Sequence, residues 1–174
     1  MLEGRNDSPR PDSFRNSKIS SGIRSSARRT PNKVSLSMGN KKVTYKDLVS
    51  RFDQVAVAGL EGLGLKKGDH VALFSSNCIE FIEIVVGLSD VGIATAMIPP
   101  SVTIPEVEHI CNDSKSKILF CHESLEEIAR AANLETVEKI IVIGKDYEKL
   151  ISNVVNPLSE VFLEEWDIFS IPYT

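Results

Sequence analysis

The sequence predicts an α/β protein: an open, largely parallel sheet flanked by helices, with a β-hairpin ahead of it. Three observations carry this. Apolar runs of four to six residues, such as HVALF (70–74), KILFC (117–121) and KIIVI (139–143), lack the polar alternation of a half-exposed strand. Parallel sheets covered on both faces require that pattern. From residue 70 on, these runs alternate with amphipathic stretches of helical period, the beat of an α/β fold. Turn and capping residues fall at the junctions between them.

In chain order, residues 1–17 are polar and proline-spotted and are expected to form a disordered basic leader. Ile19, Ile23 and Ala27 recur every four residues, predicting a short helix that ends before Pro31. Val34, Leu36 and Met38 alternate with polar residues, Gly39-Asn40 supplies turn chemistry, and Val43 and Tyr45 resume the alternation, so a hairpin is predicted. Thr44 with Asp47 opens a long helix whose apolar face is Leu48, Phe52, Val55, Gly59 and Leu63; Gly62 and Gly64 help to end it. After a turn at Lys67-Gly68-Asp69 comes the strand His70–Phe74.

Then follow helix Ile79–Leu88, strand Ile93–Ile98, helix Ile104–Cys111 behind the capping pair Thr103…Glu106, and strand Lys117–Cys121. Helix Leu125–Ala132, behind Ser124…Glu127, and strand Lys139–Ile143 complete the alternation. The final stretch DIFSIPYT places Ile168, Phe169, Ile171 and Tyr173 in a strand-like run expected to lie inside the sheet.

Composition narrows the function classes. At 174 residues the chain is of single-domain size and buries roughly 70% of its unfolded surface. The net charge of −4 is uneven: residues 1–33 hold eight Lys/Arg against three acids, leaving −9 for the rest. An acidic body argues against a nucleic-acid partner. The Arg- and Ser-rich leader has the bias of an organelle-targeting segment, whereas Glu3, Asp7, Pro9, Pro11 and Asp12 break an amphipathic transit helix. The expected location is cytoplasmic, with organelle targeting as the alternative. Cys78, Cys111 and Cys121 form no CxxC pair and read as reduced, buried thiols. The spacing of His109, Cys111, Cys121 and His122 fits no common zinc pattern, and no metal ligand is expected. The longest apolar region, Cys78–Pro100, carries Glu80, Glu83 and Asp90 and is not a membrane span.

Open α/β sheets take ligands at the carboxyl ends of their strands. The candidate loops are Ser75–Cys78, Pro99–Thr103, His122–Ser124 and Gly144–Asp146. Ser75, Ser76 and Asn77 could bond a ligand or cap the following helix. GLGLKKG (62–68) follows a helix and lacks the spacing of a phosphate loop. Asp69 and His70 project to opposite faces of a strand, so they make no acid–base pair. No catalytic residue is nominated.

Several short pieces nonetheless recur in a known order. They are Pro31 with Lys33-Val34; Thr44-Tyr45 with Asp47-Leu48; Gly64 with Gly68-Asp69 and Val71; Asn77 with Glu80; and Val91-Gly92. In these the chain resembles the opening of the adenylate-forming (AMP-binding) enzymes, the superfamily of acyl-CoA synthetases, over Lys18–Thr174. The resemblance implies an amino-terminal portion of a larger α/β catalytic domain that forms an acyl-adenylate from ATP and a carboxylic acid and passes the acyl group to CoA. It implies ATP, Mg and CoA for the full-length enzyme and no cofactor for this segment, whose partner would be the remainder of the synthetase chain. Tyr173 and Thr174 would lead into the family's Ser/Thr/Gly-rich phosphate loop; its other motifs fall beyond the matched stretch, so the segment by itself is expected to be inactive. Ile98-Pro99-Pro100-Ser101 stands where the family often has Asn-Pro. The alternative is a free-standing, non-catalytic α/β interaction module.

Overall fold

The computed structural model describes residues 18–154 and 156–173. Helix α1 (Ser21–Arg29) is followed by the antiparallel hairpin β1 (Val34–Met38) and β2 (Lys41–Thr44), then by α2 (Tyr45–Val57). Next come β3 (His70–Phe74), α3 (Ile79–Ser89), β4 (Ala94–Ile98) and α4 (Ile104–Asp113). The chain continues through β5 (Ile118–His122), α5 (Glu126–Ala131), β6 (Lys139–Ile143), α6 (Lys145–Ser152) and β7 (Ser170–Pro172). The five later strands form one parallel sheet in the order β6-β5-β3-β4-β7. This is the α/β architecture that the sequence predicts. Strand order reverses at β3: the chain moves to β4 on one side, then crosses to β5 on the other.

The all-apolar strands are explained by two cores. Val71, Leu73, Phe120, Ile141 and Ile143 face α2, α3 and α6 and pack with Val55, Ile84, Leu88, Tyr147 and Ile151. Their sequence neighbours Ala72, Phe74, Leu119, Cys121 and Val142 face α4 and α5 and pack with Val107, Ile110, Cys111 and Ala129. Alternation thus persists, with both sides dry. A smaller cluster seats the hairpin, through Leu36 and Val43, on Leu48, Phe52 and Val86.

Local differences from the sequence expectation have physical causes. Tyr45 opens α2 instead of extending the hairpin, because the Thr44 hydroxyl oxygen accepts the Asp47 N–H at 3.2 Å and ends the strand. Helix α2 closes through a π-helical turn, Ala58–Gly62, in which Leu63 N–H donates to Ala58 C=O. Ser124 does not cap α5: the His122 ring accepts the Ser124 N–H, a 3₁₀ turn spans Glu123–Leu125, and α5 begins only at Glu126. Helix α6, unforeseen in the sequence, buries Tyr147 and Ile151.

The DIFSIPYT strand is shorter and less central than expected. Ile168 and Phe169 are exposed, only residues 170–172 pair, and β7 is an edge among the described residues. Phe169 C=O accepts Thr95 N–H from β4. Alternation then turns the nitrogen of Pro172 outward, where a missing N–H breaks no ladder bond. The leader, residues 1–17, and Thr174 lie outside the described residues.

Helix α1 buries no residue fully; Ile23 packs against the cluster of Leu48, Phe52 and Val86, and charge supplies the rest of its hold. Asp90 at the end of α3 is fully buried; one of its carboxylate oxygens accepts the Ser20 hydroxyl at 2.7 Å and Arg24 at 2.6 Å, and Arg24 also reaches Asp53 at 2.6 Å. Arg24→Met is expected to free α1 while the sheet stays folded, since the detached helix re-exposes Asp90 to water. Hydrogen exchange should speed up over residues 21–29 and stay unchanged in β3 and β5. Unchanged protection in α1 would contradict this account.

Candidate active-site edge of the sheet

The carboxyl ends of the strands carry the candidate loops, and they divide into two regions. At β3, β5 and β6 the chain lines an open cavity of about 390 Å³. Its walls come from the hairpin turn (Met38, Lys41), the start of α3 (Cys78, Ile79, Glu80) and the ends of β5 and β6 (His122, Ile143). Between the loops after β3 and β5 lies the point where strand order reverses, the usual ligand position in such sheets.

Several loop residues there have a local structural task, while among the described residues no hydrogen bond engages the Ser76 and Asn77 side chains. The helix cap after β3 is Cys78 itself, whose sulfur accepts Phe81 N–H at 3.3 Å. Ser75, nominated as a cap or ligand contact, is buried and donates its hydroxyl to Ser76 C=O at 2.8 Å. Burial pushes the Cys78 thiol up, with lesser contributions from its neighbours. His122 Nδ1 lies 2.8 Å from the Ser124 hydroxyl. Gly144 takes φ = 107°, a region costly for side chains, to turn β6 into α6.

At the β4 and β7 ends lie Pro99–Thr103 and Tyr173. The Glu106 carboxylate accepts both the N–H and the hydroxyl of Thr103, at 2.6 and 2.7 Å, so the expected capping pair shapes this loop; those two bonds hold its carboxyl below the usual range. Tyr173 follows β7 directly, donates its hydroxyl to Asp113 at 2.7 Å and meets His109 edge-on. Its phenol is pushed up to about 12, by desolvation first and then by the Asp113 carboxylate. Its hydroxyl is thus engaged with α4.

Two constellations escaped the sequence reading because their members lie far apart in the chain. One is the Ser20–Arg24–Asp53–Asp90 group described above. In the other, buried Glu83 on α3 accepts Arg51 at 2.8 Å and the Tyr147 hydroxyl at 2.8 Å, while Arg51 also reaches Glu148 at 2.6 Å and stacks over the Tyr147 ring at 5.4 Å. Burial, followed by the Glu83 carboxylate, drives the Tyr147 phenol well above 10. This network ties α2, α3 and α6 together on one face of the sheet. Its only sequence signal is a glutamate inside an apolar helix, a residue type almost never fully buried without a partner.

The described residues contain no group of three His, Cys, Asp or Glu placed to hold a metal ion. Cys111 and Cys121 are buried and their thiols pushed up to about 12 and about 11, in both cases chiefly by burial, so they behave as packing residues. No described helix is long and apolar enough to cross a membrane. The described strand ends therefore offer ligand-sized space.

Comparison with known proteins supplies what the geometry lacks. A long-chain-fatty-acid–CoA ligase of Bacillus subtilis is 28% identical over 162 residues, covering 92% of this chain and 29% of the ligase. The Mycobacterium tuberculosis protein Rv1549 is 29% identical over 105 residues, 60% of this chain and 59% of that one, so the two are nearly equal in length. Among solved structures, the N-terminal domain of Mycobacterium tuberculosis FACL13 superposes with a TM-score of 0.83 at 24% identity, over 91% of this chain and 42% of that one, and shows the shared fold. The chain spans between about a sixth and three fifths of the length of the curated relatives it matches. A profile described as AMP-binding enzyme matches residues 23–174, and the chain belongs to that family.

Proposed function

We propose that this chain serves as the amino-terminal segment of an ATP-dependent carboxylate-activating enzyme, which forms an acyl-adenylate and then a thioester with CoA, and that by itself it does not turn over. The observation that carries the reading is the family match over nearly all the described residues, with ligases among the relatives. In the complete enzyme, ATP and Mg would be held by a phosphate loop entered through Tyr173 and Thr174, where backbone N–H groups and hydroxyls can wrap phosphate oxygens. The residues described here do not form that site, so no step is assigned to them. Their task is to build the α/β layer on which the rest of the domain, the partner of this segment, packs. Exposed Phe162, Trp166, Ile168 and Phe169 beside β7 suit a covered face. A fatty or aryl carboxylic acid is the substrate class we favour, in the cytoplasm.

The test has two arms. The chain alone, given ATP, Mg and a medium-chain or aryl acid, is expected to give no ATP–pyrophosphate exchange above a protein-free control. A chimera with residues 18–173 replacing the matching segment of the Bacillus ligase is expected to retain acyl-CoA formation. Exchange by the chain alone overturns the inert assignment; a folded but dead chimera overturns the scaffold assignment. A second reading is a free-standing non-catalytic module. Cooperative melting of a monodisperse chain that binds no hydrophobic dye would support that module.

A further inference from the structure

Tyr173 is not among the walls of the cavity at the ends of β3, β5 and β6, and no residue given a role in the adenylation reading lines it. Its volume lies within the roughly 300–1,000 Å³ of small-molecule sites. Met38, Ile79 and Ile143 make an apolar floor, with more apolar than polar surface exposed to the cavity. Polar groups of both signs stand around it. Lys41 Nζ and Glu80 Oε1 are 3.9 Å apart, beyond hydrogen-bond distance, which leaves room for a ligand group to engage both. Glu123 adds a second carboxylate. Ser124 N–H lies 3.2 Å from His122 Nδ1; with Nδ1 accepting that bond, the neutral ring carries its hydrogen on Nε2, where it can donate to a ligand.

These charges select among ligand classes. A simple anion would meet two carboxylates against one ammonium group, a net repulsive wall. A simple cation would gain Glu80 and Glu123 but meet the like charge of Lys41 beside them. A molecule carrying one group of each sign satisfies both: its carboxylate on Lys41 and the His122 N–H, its ammonium on Glu80 and Glu123, and an aliphatic tail over Ile79 and Ile143. We propose that this cavity binds a small zwitterion with an aliphatic side chain, an α-amino acid of about the size of leucine. Charge-assisted contacts at both ends, over an apolar floor, are what this lining supplies.

The test uses the full chain with labelled isoleucine and methionine methyl groups, titrated into the millimolar range with three probes sharing one tail. These are L-leucine, 4-methylpentanoate, which lacks the ammonium, and 3-methylbutylamine, which lacks the carboxylate. Saturable shifts of Met38, Ile79 and Ile143 are expected with L-leucine, and at least about tenfold weaker binding of the other two, roughly 1.4 kcal/mol each. Lys41→Met should weaken L-leucine about tenfold without weakening 3-methylbutylamine, which loses a like charge; Glu80→Gln should weaken L-leucine without weakening 4-methylpentanoate, for the same reason. Both side chains reach the surface, and equal melting temperatures will show that the variants fold. Absence of saturable shifts, equal affinity for all three probes, or variants that bind L-leucine normally would each overturn the proposal. The adenylation reading stands or falls separately, on the exchange and chimera assays.

Discussion

Arg51→Met is expected to cost the fold about 3–5 kcal/mol, the penalty for leaving a buried carboxylate without its cation. Glu83 keeps only 3% of its side-chain surface exposed, and one oxygen, Oε2, accepts both Arg51 and the Tyr147 hydroxyl. Without Arg51 that charge keeps a single neutral donor. With total stability of order 5–15 kcal/mol for a domain, the loss is about a fifth of the whole or more. Removing both charges tests the cause. The double variant Arg51→Met/Glu83→Met is expected to recover part of the loss: apolar groups of similar volume replace a buried ion pair at little cost, but the buried Tyr147 hydroxyl loses its acceptor, about 1–3 kcal/mol. Urea unfolding of wild type, both single variants and the double variant gives the coupling. Additive effects would show that Arg51 acts through its contact with Glu148 or its stacking on Tyr147, and not through Glu83.

Gly87→Ala is expected to destabilise by about 1–3 kcal/mol, although alanine in a helix is intrinsically favoured over glycine by about 1 kcal/mol. Gly87 lies on α3 where it crosses α2, and a Cβ there would stand 2.9 Å from Phe52 C=O and 2.9 Å from Val55 Cβ. The first is backbone, so relief requires moving a helix. Gly22, on the exposed helix α1, meets nothing within 4 Å of an added Cβ. Gly22→Ala is therefore neutral or stabilising and serves as the control. Thermal melts should lower the midpoint for Gly87→Ala alone, by about 2–4 °C per kcal/mol for a domain of this size. A Gly87→Ala protein as stable as Gly22→Ala would mean that α2 and α3 separate more easily than their packing implies.

The frame was legible because its signals are local. Apolar runs such as Val71–Phe74 and Ile118–Cys121 have the length and composition of strands dry on both faces, and Thr44 and Glu106 mark helix starts by bonds spanning three residues. Where the reading slipped, two local solutions competed. His122 took the N–H that a Ser124 cap would have left free, and Thr44 ended the hairpin one residue before Tyr45. Helix α6 was missed because Gly144-Lys145-Asp146 reads as a turn, and Tyr147 and Ile151 look apolar for a reason only once Phe120 and Glu83 stand opposite them. Of the candidate site, the strand-end loops were legible as loops; their convergence on one cavity was not, since its walls come from residues 38 to 144.

By itself the sequence determined the α/β class, the strand–helix alternation and the family resemblance, because each rests on periodicity, capping and short motifs read within a few residues. The tertiary structure decided the strand order, the edge position of β7, the need for glycine at position 87 and the pairing of Arg51 with Glu83 and of Arg24 with Asp90. It also decided which polar groups face the cavity at the reversal of the sheet. These depend on contacts between residues tens of positions apart, whose energies exist only after the chain has folded and excluded water from between them.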